Sequence, residues 1–370
     1  MKPKVLMVSW NSLTNGGIQA VMMSIIENLY KDYAFDIVVF EEQDYYKQRA
    51  IDAGCHIYRL KKYKSAFPIT KPFEDYLISI SYYFQFKKFL KKNKYDIIHC
   101  HNYFAAAPIL RAAKECKVPV RIVHSHNVAS PIKRKNPLYY ILNYIQKKEL
   151  KHFATEKVAC SAAAGEYLFG NNDVTVIHNA INLEKFNPKK YKPNRNESVH
   201  FLHVGRYCYQ KNQLFLLDVF NEYLKLDSNA KLALVGFDVW EQKIKDKITQ
   251  LHLENQVSML HKDSDIPLIL SKSDAVIFPS TYEGLGISLI EAQAMGLKCY
   301  VSEAIQPEAN LGLCQVLQLS WGAKKWAEYI YNDIQKNGYE KHFVDMSNYD
   351  IKNVKEQYNQ LYSKALSSRE

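Results

Sequence analysis

The sequence has 370 residues, 47% hydrophobic and 24% charged, which places it among ordinary globular chains and excludes a fibrous or low-complexity protein. No apolar run reaches the ~18–20 residues of a membrane span, and the opening MKPKVLMVSWNSLTNGG turns polar too soon for a secretory leader. The net charge of +11 is uneven: residues 1–180 hold 26 Lys and Arg against 15 Asp and Glu, whereas residues 181–370 hold 23 of each.

The first apolar run, KVLMVSW (4–10), predicts a strand, and NSLTNGGIQ (11–19) a turn opening a helix over 18–30. Further strands are expected at 35–40, 56–60, 96–101 (DIIHCH), 120–126 (VRIVHSH), 157–161 and 174–179, with helices at 74–92, 104–115, 137–153 and 162–169. Near-continuous Val and Ile runs suit parallel strands buried on both faces. The alternation breaks at AINLEKFNPKKYKPNRNES (180–198), whose Asn, Pro and Lys predict a linker. It restarts with strands at 199–206, 231–236, 257–260, 275–280, 298–302 and 314–319. Helices at 212–225, 240–252, 266–271, 287–295 and 322–336 lie between and after them, and a last helix covers about 350–366. Strand and helix alternating twice over predicts an α/β protein of two Rossmann-like domains facing each other across a cleft. Ligands of such sheets bind outside the carboxyl ends of the strands. The seven cysteines form no CxxC pair and several sit in apolar runs, so they predict reduced core thiols of a cytosolic protein.

The stretch PSTYEGLGISLIEAQAMG (279–296) joins a strand end to a helix start. Gly284 and Gly286 permit a sharp turn, and the N–H groups along Gly284, Leu285 and Gly286 would face an anion at the helix N-terminus. Two glutamates bracketing an anion site make sense if the ligand has hydroxyls at both ends and phosphates between, as a nucleotide sugar has. Glu283 then accepts from sugar hydroxyls, and Glu291 from the ribose diol. The cations come from HVGRYCYQKN (203–212), where Arg206 and Lys211 follow Gly205 at another strand end.

Together, GRYCYQKN and PSTYEGLGISLIEAQAMG resemble the donor-binding domain of retaining glycosyltransferases of family 4, which have the GT-B fold. The resemblance continues through DIIHCHN, RIVHSHN, ACSAAAGEYLFG and VIHNAINLEKFNP, and looks closest to bacterial members that build capsular or exopolysaccharides. It implies transfer from a nucleotide sugar, UDP-linked by family frequency, with retention and without an obligatory metal or other cofactor. It also implies an acceptor domain of residues 1–180 with a C-terminal helix crossing back to it (about 350–370), and a donor domain of 181–349. The Gly16–Gly17 loop is implied to lie over the donor phosphates or acceptor, the reading preferred here; a plain turn and helix start is the alternative. Of the two His-x-His pairs, His124 is implied to reach the donor sugar, with His126 close behind and His101 on the acceptor side. Alternate strand residues share a face, so each pair offers two metal ligands, but the sequence identifies no others; buried, hydrogen-bonded histidines are the alternative. DSD (263–265) imitates a metal motif, yet Asp265 capping a helix with Pro267 in its first turn explains it.

Two rival functions remain open at this point: a nucleotide-sugar 2-epimerase of the same architecture, and a basic nucleic-acid-binding protein, for which no motif is present. Basic stretches mixed with aromatics, YRLKKYKSAF (58–67), YYFQFKKFLKKNKY (82–95) and PIKRKNPLYYILNYIQKKELK (131–151), instead predict peripheral docking on the anionic inner face of the cell membrane and a lipid-linked saccharide acceptor.

Overall fold

The computed structural model describes residues 2–9, 12–14, 16–41, 45–61, 71–101, 103–128, 137–170, 173–191, 198–261 and 263–368. Residues 62–67 and 131–136 of the basic stretches, and parts of the 11–19 loop, lie outside them. The chain divides into two compact units, residues 1–180 with 351–370, and residues 181–350.

Unit 1 opens with β1 (Lys4–Val8), α1 (Gly17–Leu29), β2 (Ala34–Val39), α2 (Lys47–Asp52), β3 (His56–Arg59) and α3 (Lys71–Lys92). It continues through β4 (Ile97–Cys100), α4 (Ala106–Glu115), β5 (Val120–Ser125), α5 (Pro137–Phe153), β6 (Glu156–Ala159), α6 (Ala162–Phe169) and β7 (Thr175–Val176). All seven strands are parallel, in the order β3-β2-β1-β4-β5-β6-β7. The order reverses between β1 and β4, and at such a switch point the loops after the strands part to leave a crevice. β4 is buried at every position, its apolar residues as a two-sided sheet requires and His99 with them. The alanines of α4 let it lie close to the sheet, burying Ala106, Ala107, Ile109, Leu110, Ala112 and Ala113. Each fully buried Leu or Ile there contributes about 1.5–3 kcal/mol.

Unit 2 repeats the plan with β8 (His200–Val204), α7 (Gln213–Leu224), β9 (Lys231–Val235), α8 (Glu241–Gln250), β10 (Val257–Leu260) and α9 (Ile266–Lys272). β11 (Ala275–Phe278), α10 (Ile287–Ala294), β12 (Lys298–Ser302), β13 (Cys314–Leu317) and α11 (Gly322–Asn337) complete it. Its six parallel strands run β10-β9-β8-β11-β12-β13, with the switch point between β8 and β11. Asp265 caps α9, its Oδ1 accepting from Leu268 N at 3.2 Å, which accounts for the DSD triplet without a metal. The last helix, α12 (Ile351–Ser367), belongs to unit 1. Its apolar face of Val354, Tyr358, Leu361, Tyr362 and Ala365 follows helical spacing, and the helix packs against α1. Tyr33, just before β2, donates to Asn359 Oδ1 at 3.0 Å and stacks edge-on against Tyr362.

The structure departs from the sequence-based expectation at two elements. The helix α2 was not expected, because its sequence KQRAID buries only Ala50 and so carries no apolar period. The strand expected over 174–179 is only two residues long, Thr175–Val176, both exposed at the sheet edge.

Candidate functional site

In unit 2 the two strands flanking the switch point deliver both functional loops. β8 ends at Val204, and Gly205 follows, its N–H bonded to Val235 O at 3.0 Å. A side chain at Gly205 would lie 3.2 Å from the Lys211 methylenes, so glycine lets Lys211 fold back across the strand end. There Lys211 Nζ donates to Glu283 Oε1 at 2.5 Å and sits 5.4 Å from the centre of the Phe278 ring. The two side chains are 12% and 7% exposed, so this ion pair is largely withdrawn from water. Glu283 Oε1 also accepts from Ser280 Oγ at 3.0 Å, and its backbone carbonyl accepts from Gln306 Nε2 at 2.9 Å. Arg206 differs: its side chain is 56% exposed and holds Asp238 at only 3.5 Å. A long guanidinium with one weak partner is free to turn toward an incoming anion.

The second loop leads into α10, whose N-terminus is Gly286 at φ +79 with no side-chain cap. That left-handed conformation is one glycine adopts without strain. Leu285 anchors the turn by burying its side chain. One turn into α10, Glu291 keeps part of its surface open, yet burial of the carboxyl raises it to about 7, against a smaller lowering by Lys185. Burial thus favours the neutral carboxyl over the carboxylate.

Three supporting residues carried no signal as functional groups in the sequence. Gln213, fully buried at the start of α7, donates to Arg206 O at 2.8 Å and accepts from Cys208 N at 3.3 Å, fixing the 205–212 loop. Gln210 donates to Tyr282 O at 3.1 Å, tying that loop to the next. Ser280, at the end of the β11 run, holds Glu283 through its Oγ.

In unit 1 the carboxyl ends of β4 and β5 bring the two His-x-His pairs together. The strands pair with His99 opposite Ile122 and Cys100 opposite Val123, so their alternate residues share a face. His101 and His124 rings lie 5.2 Å apart, His124 and His126 4.0 Å, and His99 and His101 4.4 Å. All four are buried. His101 Nδ1 meets His126 Nε2 at 2.9 Å, and His99 Nδ1 meets the Tyr362 hydroxyl at 2.8 Å. Desolvation is the first cause of the lowering in each ring: His99 and His126 fall to about 3, and His101 and His124 well below their usual value. The sequence singled out three of these histidines and passed over His99 as a site residue, because the convergence depends on strand pairing. At β1's end, Gly16 caps α1 in an extended conformation. A side chain on Gly16 would strike Gln19 Oε1 at 2.5 Å, and Gly17 opens the helix itself. That Gln19 oxygen is the tip of a flexible side chain and the φ of Gly16 is −112, so packing alone does not require glycine at 16.

Comparison with known proteins accords with this plan. Residues 15–185 match the model of Glycosyltransferase Family 4, and residues 184–308 that of Glycosyl transferases group 1. A Bacillus subtilis protein named as a glycosyltransferase, EpsF, is 26% identical over 340 residues, covering 86% of this chain and 85% of its own. An Escherichia coli UDP-Gal:alpha-D-GlcNAc-diphosphoundecaprenol alpha-1,3-galactosyltransferase is 28% identical over 232 residues, 58% of this chain and 59% of its own. The Anabaena HepE structure, in complex with UDP and glucose, aligns with a TM-score of 0.77 at 16% identity, covering 98% of this chain and 99% of its own, and shares the fold. On this sequence and structural likeness, the chain belongs to the family 4 glycosyltransferases of the GT-B fold.

Proposed function

We propose that this glycosyltransferase takes a hexose from a UDP-sugar and transfers it, with retention and without a metal on the diphosphate, to a lipid-linked saccharide during synthesis of a cell-surface polysaccharide. The observation that carries the reading is the meeting of Lys211, Glu283 and the α10 N-terminus at the β8–β11 switch point, with Arg206 beside them. The UDP and the lipid-linked acceptor are supported by the names of the Escherichia coli relative and the HepE complex.

Residues 181–350 are assigned the donor and residues 1–180 with 351–370 the acceptor. Arg206, Lys211 and the backbone along Gly284, Leu285 and Gly286 hold the diphosphate, Glu291 the ribose, and Glu283 the sugar hydroxyls. Gly205 gives Lys211 its path. His124 is assigned to the sugar near its reacting carbon, His126 and His101 to the acceptor side, and Gly16 and Gly17 to the loop beside the phosphates. As the bond from the anomeric carbon to the diphosphate oxygen breaks, the carbon gains oxocarbenium character. Arg206 and Lys211 stabilise the charge gathering on the leaving group. The acceptor hydroxyl adds from the same face and gives its proton to that departing phosphate oxygen, so no protein carboxylate need act as nucleophile.

Docking on an anionic membrane surface rests on unit 1. Tyr140, Ile141, Tyr144 and Ile145 stand exposed along α5, and Ile80 and Phe84 along α3. Gln146 of α5 donates to Ser79 Oγ of α3 at 2.9 Å, so the two stripes are neighbours. Lys148 lies over the Tyr144 ring at 4.7 Å. Apolar tips for the headgroup boundary beside lysines for anionic lipid suit peripheral attachment. Among the described residues no helix is long and apolar enough to cross a membrane.

The test is transfer from UDP-sugars to diphospho-undecaprenol-linked saccharides, with the configuration of the new bond read by proton NMR. An α-linked product from an α-linked donor supports the reading. An inverted product refutes retention, and interconversion of the UDP-sugar without acceptor would select the 2-epimerase.

A further inference from the structure

The histidine cluster of unit 1 has a second capacity, apart from sugar transfer. We propose that His99, His101 and His124 form a three-imidazole site for a divalent first-row transition ion, Zn²⁺ foremost. One ring nitrogen from each lies within 4.8 Å of those of the other two. Nε2 of His99, Nε2 of His101 and both nitrogens of His124 have no hydrogen-bond partner among the described residues. The three rings are at most 3% exposed. Buried polar atoms are nearly always paired, and several orphans in one cluster call for a missing partner.

The surroundings are those of a ligand shell. A metal-binding histidine normally engages its second nitrogen with a protein group, which fixes the tautomer and leaves a lone pair on the first. His99 does so through Nδ1 and the Tyr362 hydroxyl, and His101 through Nδ1 and His126 Nε2. Burial keeps all of these rings neutral, the form that binds metal. The donor set decides the ion. Three imidazoles without a carboxylate suit zinc, copper or nickel and not magnesium or calcium. Tetrahedral zinc with bonds of ~2.1 Å needs nitrogens about 3.4 Å apart. The rings of His99 and His101 lie at 24° to one another and those of His99 and His124 at 15°, so assembling the site takes side-chain rotation that turns the three lone pairs onto one point as the nitrogens close in. Water or hydroxide takes the fourth position, as in other three-histidine zinc sites. The buried Tyr358 hydroxyl, also without a partner among the described residues, belongs to the same cluster, its ring 6.2 Å from those of His99 and His124. His124 gives one nitrogen to the ion and keeps an N–H on the other, so ion binding does not remove the role assigned to it above. Because Tyr358 and Tyr362 come from α12, the ion would also secure the returning helix against the sheet.

The experiment uses the full chain, dialysed against chelator and titrated with Co²⁺ by visible absorption, then with Zn²⁺. The expected result is one equivalent of Co²⁺ with the intense bands of four-coordinate cobalt, displaced by one equivalent of Zn²⁺. His101→Gln and His124→Gln should each weaken Zn²⁺ binding by at least 100-fold. His126→Gln, at a residue that hydrogen-bonds the second nitrogen of His101 and lies against the ring of His124, should weaken it 10–100-fold. His261→Gln, at an exposed position of unit 2, should not change it. The binding of wild-type protein decides the matter even if a variant fails to fold: no one-to-one uptake overturns the site. Uptake unchanged in folded His101→Gln and His124→Gln overturns it too. The readout is ion binding and not turnover, so it stands or falls separately from the reading of unit 2.

Discussion

Lys211 Nζ and Glu283 Oε1 are 2.5 Å apart, and the two side chains neutralise one another in a setting nearly closed to water. The sequence gives them opposite tasks, a cation for the diphosphate and a carboxylate for the sugar. The proposed roles are compatible with the pairing, because a lysine with three N–H donors can hold the carboxylate and still offer protons to a phosphate.

This pairing separates Lys211 from Arg206. Removing one partner of a withdrawn ion pair leaves the other charge buried, at a cost of about 3–5 kcal/mol. Lys211→Ala should therefore lower the melting temperature as well as turnover. Arg206→Ala should lower turnover by ~10²–10³-fold with the melting temperature nearly unchanged, since the side chain is 56% exposed. Scanning calorimetry beside initial rates checks both. Equal melting temperatures for the two variants would contradict the distinction.

Glu291 should link stability to pH. Its carboxyl is raised from 4.5 to about 7 in the folded protein, so between those values the folded state binds more protons than the unfolded. Stability from this group is therefore lost as pH rises through that window, and the loss is complete above 7. Glu291→Gln should leave the protein unchanged in stability near pH 4 and stabilise it by about 1–3 kcal/mol at pH 8, while weakening nucleoside diphosphate binding. Thermal unfolding of both proteins across pH 4–8 tests the sign. A variant less stable than wild type at pH 8 would rule the argument out.

The membrane face should respond to both apolar and charge changes. Ile141→Ser with Tyr144→Ser should abolish cosedimentation with anionic vesicles, and raised salt should release the wild-type protein, because charge attraction is screened within ~8–10 Å. If anionic vesicles retain no more protein than neutral ones at low salt, the docking idea fails.

Much of the fold was legible because apolar runs bounded by turns mark buried parallel strands, as in DIIHCH and AVIFPS. The helix α2 was not, since a surface helix burying one alanine leaves no period to read. The loops after β8 and β11 could be recognised by their glycines and charges. Gln213 could not: a buried glutamine that fixes a loop looks like any helix-start residue until its partners are seen. The histidines were visible as two pairs. That they form one cluster follows from β4 lying beside β5 in register and from Tyr362, 263 residues after His99, closing on it.

The central claim is that the ends of β8 and β11 hold a nucleoside diphosphate. Calorimetric titration of wild-type protein and Arg206→Ala with UDP, GDP and ADP tests it most directly. The account predicts saturable one-to-one binding of UDP, weakened by about 10–100-fold in Arg206→Ala, the scale of one charge-assisted contact. Absence of binding by all three nucleotides, or binding that Arg206→Ala leaves unchanged, would contradict it.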